Sequence, residues 1–330
     1  MNSTKALFDI DSIITQLNKE ISYIQYGDHP NELYEPIRYL MALNGKRLRP
    51  LLVILGNYLF SDTYLNDLKP AIAVEVFHNF TLMHDDIMDN APLRRGMPTV
   101  HEKWNNNIAI LSGDVMLVQA YDLFLNLPPE QLCKVLIAFN KCAAEVCEGQ
   151  QTDMNFEKRE LVSEKEYLEM IRQKTAVLLG FSLKLGGIMA NAEQKELDLL
   201  QQLGENIGIG FQLKDDLLDV FGEKNKTGKQ IGGDIIANKK TFLLIEAIEK
   251  ANSEELKSLN HWLSLQEFDK DEKVNAITSI YEQLNIKFIT ENKIKDFFGK
   301  GYDCLYQLNA NASKKEYLKN FIEKLIGRDS

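Results

Sequence analysis

Strand-type alternation of Val, Ile and Thr is scarce along this chain, and long helical runs dominate instead. Pro50 suits a first helical turn and leads into an apolar run over residues 51–60. A second run, 68–90, carries aspartates near its end, with Pro92 just beyond. Ser112 is placed to cap a helix over 114–127, which Pro128 and Pro129 close. Ser163, followed three residues later by Glu166, has the capping-box pattern for a helix reaching Gly186 and Gly187. Another long helix is expected over 193–221. It contains Gly204, Gly208 and Gly210, each costing about 1 kcal/mol against alanine, so a neighbouring helix or a ligand should come close there. Residues 222–240, with four glycines and five lysines, read as a mobile loop. Amphipathic helices return over 241–327, where no chemistry stands out. The expectation is one all-α domain across residues 1–330.

Composition agrees with a folded chain. The 330 residues are 45% hydrophobic and 26% charged, which is globular rather than disordered. A net charge of −10 argues against a nucleic-acid binder. The basic stretches, 45–49 and Arg94–Arg95, are too short for a polyanion track but long enough for a diphosphate. Cys133, Cys142, Cys147 and Cys304 show no paired spacing, which suits reduced thiols in a cytoplasmic protein. The first twenty residues lack a basic region followed by an apolar run, so no secretory signal is expected. No stretch approaches the ~18 apolar residues of a membrane span, and a soluble protein is expected.

The chemistry concentrates in HDDIMDNAPLRR (84–95) and QLKDDLLD (212–219), which share a D-D-x-x-D spacing. On a helix, Asp85 and Asp89 lie on one face, as do Asp215 and Asp219. Asp86 and Asp216 point about 100° away, as supporting partners. Carboxylates one turn apart suit Mg²⁺, which accepts one or two of them and draws its other oxygens from substrate phosphates. Nearby Lys and Arg would then balance phosphate charge. A lone D-D-x-x-D reads more readily as a solvated acidic face; the recurrence at the ends of two apolar helices weighs against that. An EF-hand is excluded by the missing D-x-D-x-D-G loop. The five histidines show no zinc-ligand spacing.

With both motifs in hand, the chain resembles the trans-isoprenyl diphosphate synthases of the short-chain polyprenyl synthetase family. The resemblance runs from about residue 45 to 240 through GKRLRP (45–50), HNFTLMHDDIMDNAPLRRG (78–96), GQQTD (149–153), KT (174–175), FQLKDDLLD (211–219), TGK (227–229) and NKK (238–240). It implies a helical bundle of about ten or more helices around a central cavity, and a homodimer. It implies condensation of isopentenyl diphosphate with an allylic diphosphate (dimethylallyl, geranyl or farnesyl) through an allylic carbocation. Three Mg²⁺ ions are implied, two on Asp85 and Asp89 and a third on Asp215, with Asp86, Asp216 and Asp219 supporting. Arg94, Lys174 and Lys229 would grip the allylic diphosphate, with Lys239 a further basic contact. Lys46, Arg49, Arg95 and His78 would hold isopentenyl diphosphate. Thr175 and Gln212 would turn neutral dipoles to the cationic carbons, and Gln150 and Asp153 match a family position near the metals. Two features depart from the commonest pattern. KQIGGD (229–234) is one residue longer than the usual animal form, and the C-terminal GRDS offers only Arg328 in place of a multi-basic tail.

Product length in this family depends on what stands below the first aspartate. Thr81, Phe80 and Phe77 lie four, five and eight residues before Asp85. Phe80 and Phe77 are thus about 7.5 Å and about 12 Å along the helix axis. One aromatic at minus five with a small Thr at minus four resembles the geranylgeranyl (C20) pattern. A farnesyl (C15) synthase and a catalytically silent regulatory subunit remain the alternatives.

Overall fold

The structure is a computed structural model and describes residues 8–43, 45–222 and 232–327. The expected all-α fold is what it shows, in two compact units. The first comprises the described residues up to Ala138 together with Ser182–Glu193; the second comprises Phe139–Phe181 and the described residues from Gln194 onward.

The first unit opens with α1 (Ile10–Tyr23), α2 (Asn31–Ala42), α3 (Leu48–Phe60) and α4 (Lys69–Met88). A short hairpin, β1 (Leu93–Arg94) and β2 (Met97–Pro98), leads into α5 (Val100–Lys103) and α6 (Asn106–Phe124). Helix α4 packs against α3 and α6, burying Val74, Val76, Phe77 and Met83. Its end is built by the chain itself. Asn90 takes a left-handed φ of 48°; its N–H donates to Ile87 O at 3.3 Å, and Ala91 N–H donates to Asp86 O at 2.9 Å. This paired closure is a Schellman motif, and it releases Asp89 and Asn90 from the run expected to reach 90.

Sequence reading misplaced the start of α6. Asn105 caps it, Oδ1 accepting from Ile108 N–H at 2.9 Å, and Ser112 lies inside the helix with its hydroxyl donating to Leu33 O at 2.8 Å. The hairpin was also unforeseen. Leu93 pairs with Pro98 and Arg94 with Met97, around Arg95 (φ 53°) and Gly96 (φ 77°). Positive φ at both central residues is what a two-residue type I′ loop demands.

Helix α7 (Pro129–Glu157) runs from the first unit into the second. The Ser163–Glu166 capping box is present: Ser163 Oγ accepts from Glu166 N–H at 3.3 Å and Glu166 Oε2 accepts from Ser163 N–H at 3.0 Å. It starts α8 (Glu164–Ile171), which passes through a π-helical turn, Arg172–Ala176, into α9 (Val177–Met189). Then comes α10 (Gln194–Phe221), the expected long helix. Of the segment 222–240, residues 223–231 lie outside the described residues; beyond them stands one helical turn, α11 (Gly233–Ile236), where a loop was expected. Helices α12 (Phe242–Lys250), α13 (Ser253–Ser264), α14 (Lys270–Gln283), α15 (Ile286–Gln307) and α16 (Ala312–Gly327) complete the second unit. Among the described residues no helix is long and apolar enough to cross a membrane.

Close packing within the chain accounts for the glycines of α10. A Cβ on Gly204 would meet Gly180 Cα at 2.5 Å, and one on Gly208 would meet Ala176 Cα at 2.6 Å. Helix propensity alone would favour Gly204→Ala by about 1 kcal/mol. The backbone contact reverses that sign, and a net loss of about 1–3 kcal/mol is expected. Urea unfolding reads it directly; an unchanged or raised midpoint would contradict this packing.

Candidate active site

At the end of α4 the three acids separate. Asp86 is buried, its side chain 3% exposed, whereas Asp85 is partly exposed and Asp89 exposed. Arg94, on the hairpin, holds Asp86 through two bonds: Nε to Oδ2 at 2.8 Å and Nη2 to Oδ1 at 2.7 Å. The same Nη2 is 3.8 Å from Asp85 Oδ2. Asp86, expected beside a metal, and Arg94, expected on a diphosphate, are therefore bonded to one another. The bidentate pair uses one edge of the guanidinium, and Nη1 carries neither bond.

Basic groups gather about two turns back along the same helix. Arg49 Nη1 stands 2.9 Å from His78 Nε2. An arginine can only donate, so Nε2 accepts and the proton of the neutral ring sits on Nδ1. Arg95 donates to Leu43 O at 3.2 Å and lies over Gly45, where a Cβ would meet its Nη1 at 2.9 Å. Lys46 follows, exposed. The structure thus brings Arg49, His78 and Arg95 together, with Lys46 at their edge.

Arg47 organises this cluster, and sequence reading passed over it. It is buried and adopts a left-handed φ of 47° just before α3. Its guanidinium donates to Asn18 Oδ1 at 3.0 Å, Glu75 Oε1 at 2.7 Å and Met41 O at 3.0 Å. Arg47 is thus anchored inward, whereas Lys46 beside it is exposed and Arg49 turns to His78. Nothing in the GKRLRP string marks which cation faces inward.

The second unit repeats the division of labour with different chemistry. Asp216 is buried and Asp215 exposed. Asp216 Oδ1 accepts from Gln212 Nε2 at 3.1 Å, and Oδ2 accepts a very short bond from the Tyr167 hydroxyl. Gln212 Oε1 in turn accepts from Thr175 Oγ1 at 3.2 Å, completing a chain from Thr175 to Tyr167. Burial pushes the Asp216 carboxyl up to about 7, against the opposing pull of the Tyr167 and Gln212 bonds. Tyr167 was also missed, being 49 positions from its partner. Lys174 donates to Asp153 Oδ2 at 2.6 Å. The π-helical turn carrying Lys174 and Thr175 presses on Gly149, where a Cβ would lie 2.3 Å from Lys174 N. Gln150 sits beside that glycine, partly buried. Asp219 Oδ2 accepts from Asp234 N–H at 2.9 Å, and Lys239 Nζ is 3.9 Å from Asp234 Oδ1. Lys229 and Arg328 lie outside the described residues.

Below the first acids, Phe77 and Phe80 are buried with ring centroids 5.6 Å apart. Phe80 meets the His84 ring edge-on at 4.8 Å, and Thr81 Oγ1 donates to His78 O at 2.8 Å.

Among the described residues no three His, Cys, Asp or Glu side chains cluster closely enough to hold a metal by themselves. Asp85, Asp89 and Asp215 nevertheless suit Mg²⁺. They are hard oxygen donors, of which that ion needs one or two, and it takes the rest of its shell from water and phosphate.

Burial, then the fields of Arg49, Arg95, Arg94 and Arg47, hold His78 well below the ordinary imidazole range. The unfolded chain therefore binds a proton near pH 6.5 that the folded chain refuses, and stability falls as pH drops through that value. The loss amounts to up to about 1.4 kcal/mol per pH unit. His78→Gln should flatten the fall measured by urea unfolding between about pH 8 and about pH 5.5. Equal slopes in variant and wild type would show that His78 titrates normally.

The sequence model described as Polyprenyl synthetase matches residues 30–281. A geranylgeranyl diphosphate synthase of Methanosarcina mazei is 43% identical over 67% of this chain and 69% of its own length. A crystal structure of a geranylgeranyl pyrophosphate synthase superposes with a TM-score of 0.92 at 40% identity, covering 98% of this chain and 99% of the other. The geranylgeranyl pyrophosphate synthase of Corynebacterium glutamicum, complexed with isoprenyl diphosphate and magnesium, has a TM-score of 0.82 at 27% identity over 96% of this chain and 97% of its own. With a family match across most of its length and the family's all-α fold, this chain belongs to the polyprenyl synthetase family and is a prenyltransferase.

Proposed function

We propose that the chain condenses isopentenyl diphosphate head-to-tail with an allylic diphosphate and releases geranylgeranyl diphosphate. The observation that carries this reading lies within one unit. A basic cluster of Arg49, His78 and Arg95 sits about 10.5 Å along α4 from Asp85, with Asp89 one turn further on. A cluster of cations beside His78 and a pair of carboxylates at the end of the same helix suit two phosphorylated substrates, only one of which must lose its diphosphate.

Asp85, Asp89 and Asp215, supported by Asp219, would hold three Mg²⁺ ions. Ions held there would supply positive charge against the charge that builds on the departing diphosphate oxygens. Arg94, fixed by Asp86, and Lys174, Lys229 and Lys239 would bind the same diphosphate. Lys46, Arg49, Arg95 and His78 would seat isopentenyl diphosphate, His78 in its neutral form. Thr175 and Gln212 turn dipoles rather than nucleophiles to the allylic cation, since a nucleophile there would be alkylated. Asp86 and Asp216 then serve by fixing Arg94 and Gln212.

We further propose that the two units act as one catalytic domain, that the enzyme is cytoplasmic, as its four free thiols suit, and that it works as a homodimer. Ile110, Leu111 and Val118 on α6, with Leu125 and Ile137 beyond, are exposed large apolar side chains. A second copy would cover them.

The test incubates purified protein with isopentenyl diphosphate, Mg²⁺ and each allylic diphosphate in turn, then sizes the products. Elongation ending at C20 is expected; no elongation from any starter would refute the reading. A C15 end product would favour the farnesyl alternative. Phe80→Ala should lengthen the main product by at least one five-carbon unit. Identical products from variant and wild type would remove Phe80 from the growing chain's path.

A further inference from the structure

We propose that Lys273 is a positioning residue for Asp219 and Lys239, acting through the amide of Asn238. The inference rests on the function proposed above.

Lys273 lies on α14, in a stretch whose sequence suggested no chemistry, and its exposure is 0%. A lysine is almost never fully buried without a partner. Here Nζ donates to Asn238 Oδ1 at 2.6 Å and stands 4.1 Å over the Phe268 ring. The other end of the same amide is fixed as well, Nδ2 donating to Leu263 O at 3.1 Å. That bond settles which way the amide points. Asn238 itself is left-handed, with φ 54°. A strained turn is thus clamped at both ends of its side chain.

The clamp reaches the reactive groups through a short run of bonds. Lys239, the next residue, donates its N–H to Asp234 O at 2.9 Å. Asp234 N–H donates to Asp219 Oδ2 at 2.9 Å, and Gly232 N–H donates to Asp219 O at 2.7 Å. Helix α14 meets this segment at its other end too. A Cβ on Gly232 would lie 2.6 Å from Val274 Cγ2. Adjacent residues of one helix therefore set both ends of the 232–239 turn. An apolar side chain would fill the space beside Phe268 at less cost than a desolvated ammonium. What the ammonium adds is direction: it holds one amide in one orientation. The geometry so fixed is the spacing between Asp219 and Lys239, a cation assigned to the allylic diphosphate.

Lys273→Met keeps the length and apolar stem but removes the ammonium; Asn238→Gly keeps the left-handed backbone but removes the amide. In steady-state assays each should raise KM for the allylic diphosphate on the order of tenfold and leave KM for isopentenyl diphosphate within about twofold. The double variant should be no worse than the worse single, because both cut one connection. Hydrogen exchange at the amides of 238–241 should quicken in Lys273→Met. Equal shifts in both KM values, multiplied effects in the double variant, or unchanged exchange would each overturn the proposal. Where Lys273→Met does not fold, Asn238→Gly alone must show the KM split. A wild-type chain that elongates nothing refutes the proposed function instead, and exchange at 238–241 still decides the positioning role.

Discussion

Two carboxylates taken out of water, Asp86 and Asp216, constrain everything around them. A buried acid must find a cation or a set of donors, since leaving it unmet costs several kcal/mol. Asp86 takes the first route and recruits Arg94 from the hairpin with two bonds. Asp216 takes the second, accepting from Tyr167 and Gln212. Each middle acid is satisfied from within the protein, while Asp89 and Asp215 are exposed and Asp85 is partly so. The crowding that looks destabilising in the sequence is relieved by sorting the acids between interior and surface.

The cations are sorted the same way. Arg47 is spent on the interior, paired with Glu75 where both side chains are 5% exposed or less. Removing one member of such a pair strands the other charge at a cost of about 3–5 kcal/mol. Its left-handed backbone and that of Arg95 each carry strain of about 1–3 kcal/mol. In return, Arg49 and Arg95 converge on His78 from α3 and from the hairpin turn. Burial, reinforced by the crowd of guanidinium groups, keeps that imidazole neutral, and a neutral ring can accept from Arg49 where an imidazolium could only repel it.

The helices were legible because their signals are local. The capping box at Ser163, the apolar run into Asp85 and the glycines of α10 all lie within a few residues of what they determine. The errors were local as well. Ser112 is as good a cap residue as Asn105, and only the fold shows that its hydroxyl is needed by Leu33. The hairpin escaped notice because two residues per strand leave no alternation to read. Within the site, the outward residues were named from spacing and resemblance. Arg47 and Tyr167 were not, since each answers to a partner 28 or 49 positions away. Lys273 belongs with them, 35 positions from Asn238. A polar residue that serves another polar residue at long range leaves no periodic trace.

The proposed function requires that acids from both D-D-x-x-D motifs act on one metal-bound diphosphate. Calorimetric titration with a non-reactive allylic diphosphate analogue in the presence of Mg²⁺ addresses it most directly, comparing wild type with Asp89→Asn and Asp215→Asn. Each substitution should weaken binding on the order of tenfold or more, and withdrawing Mg²⁺ should abolish the difference between them. Wild-type affinity in either variant would mean that its motif does not touch that diphosphate.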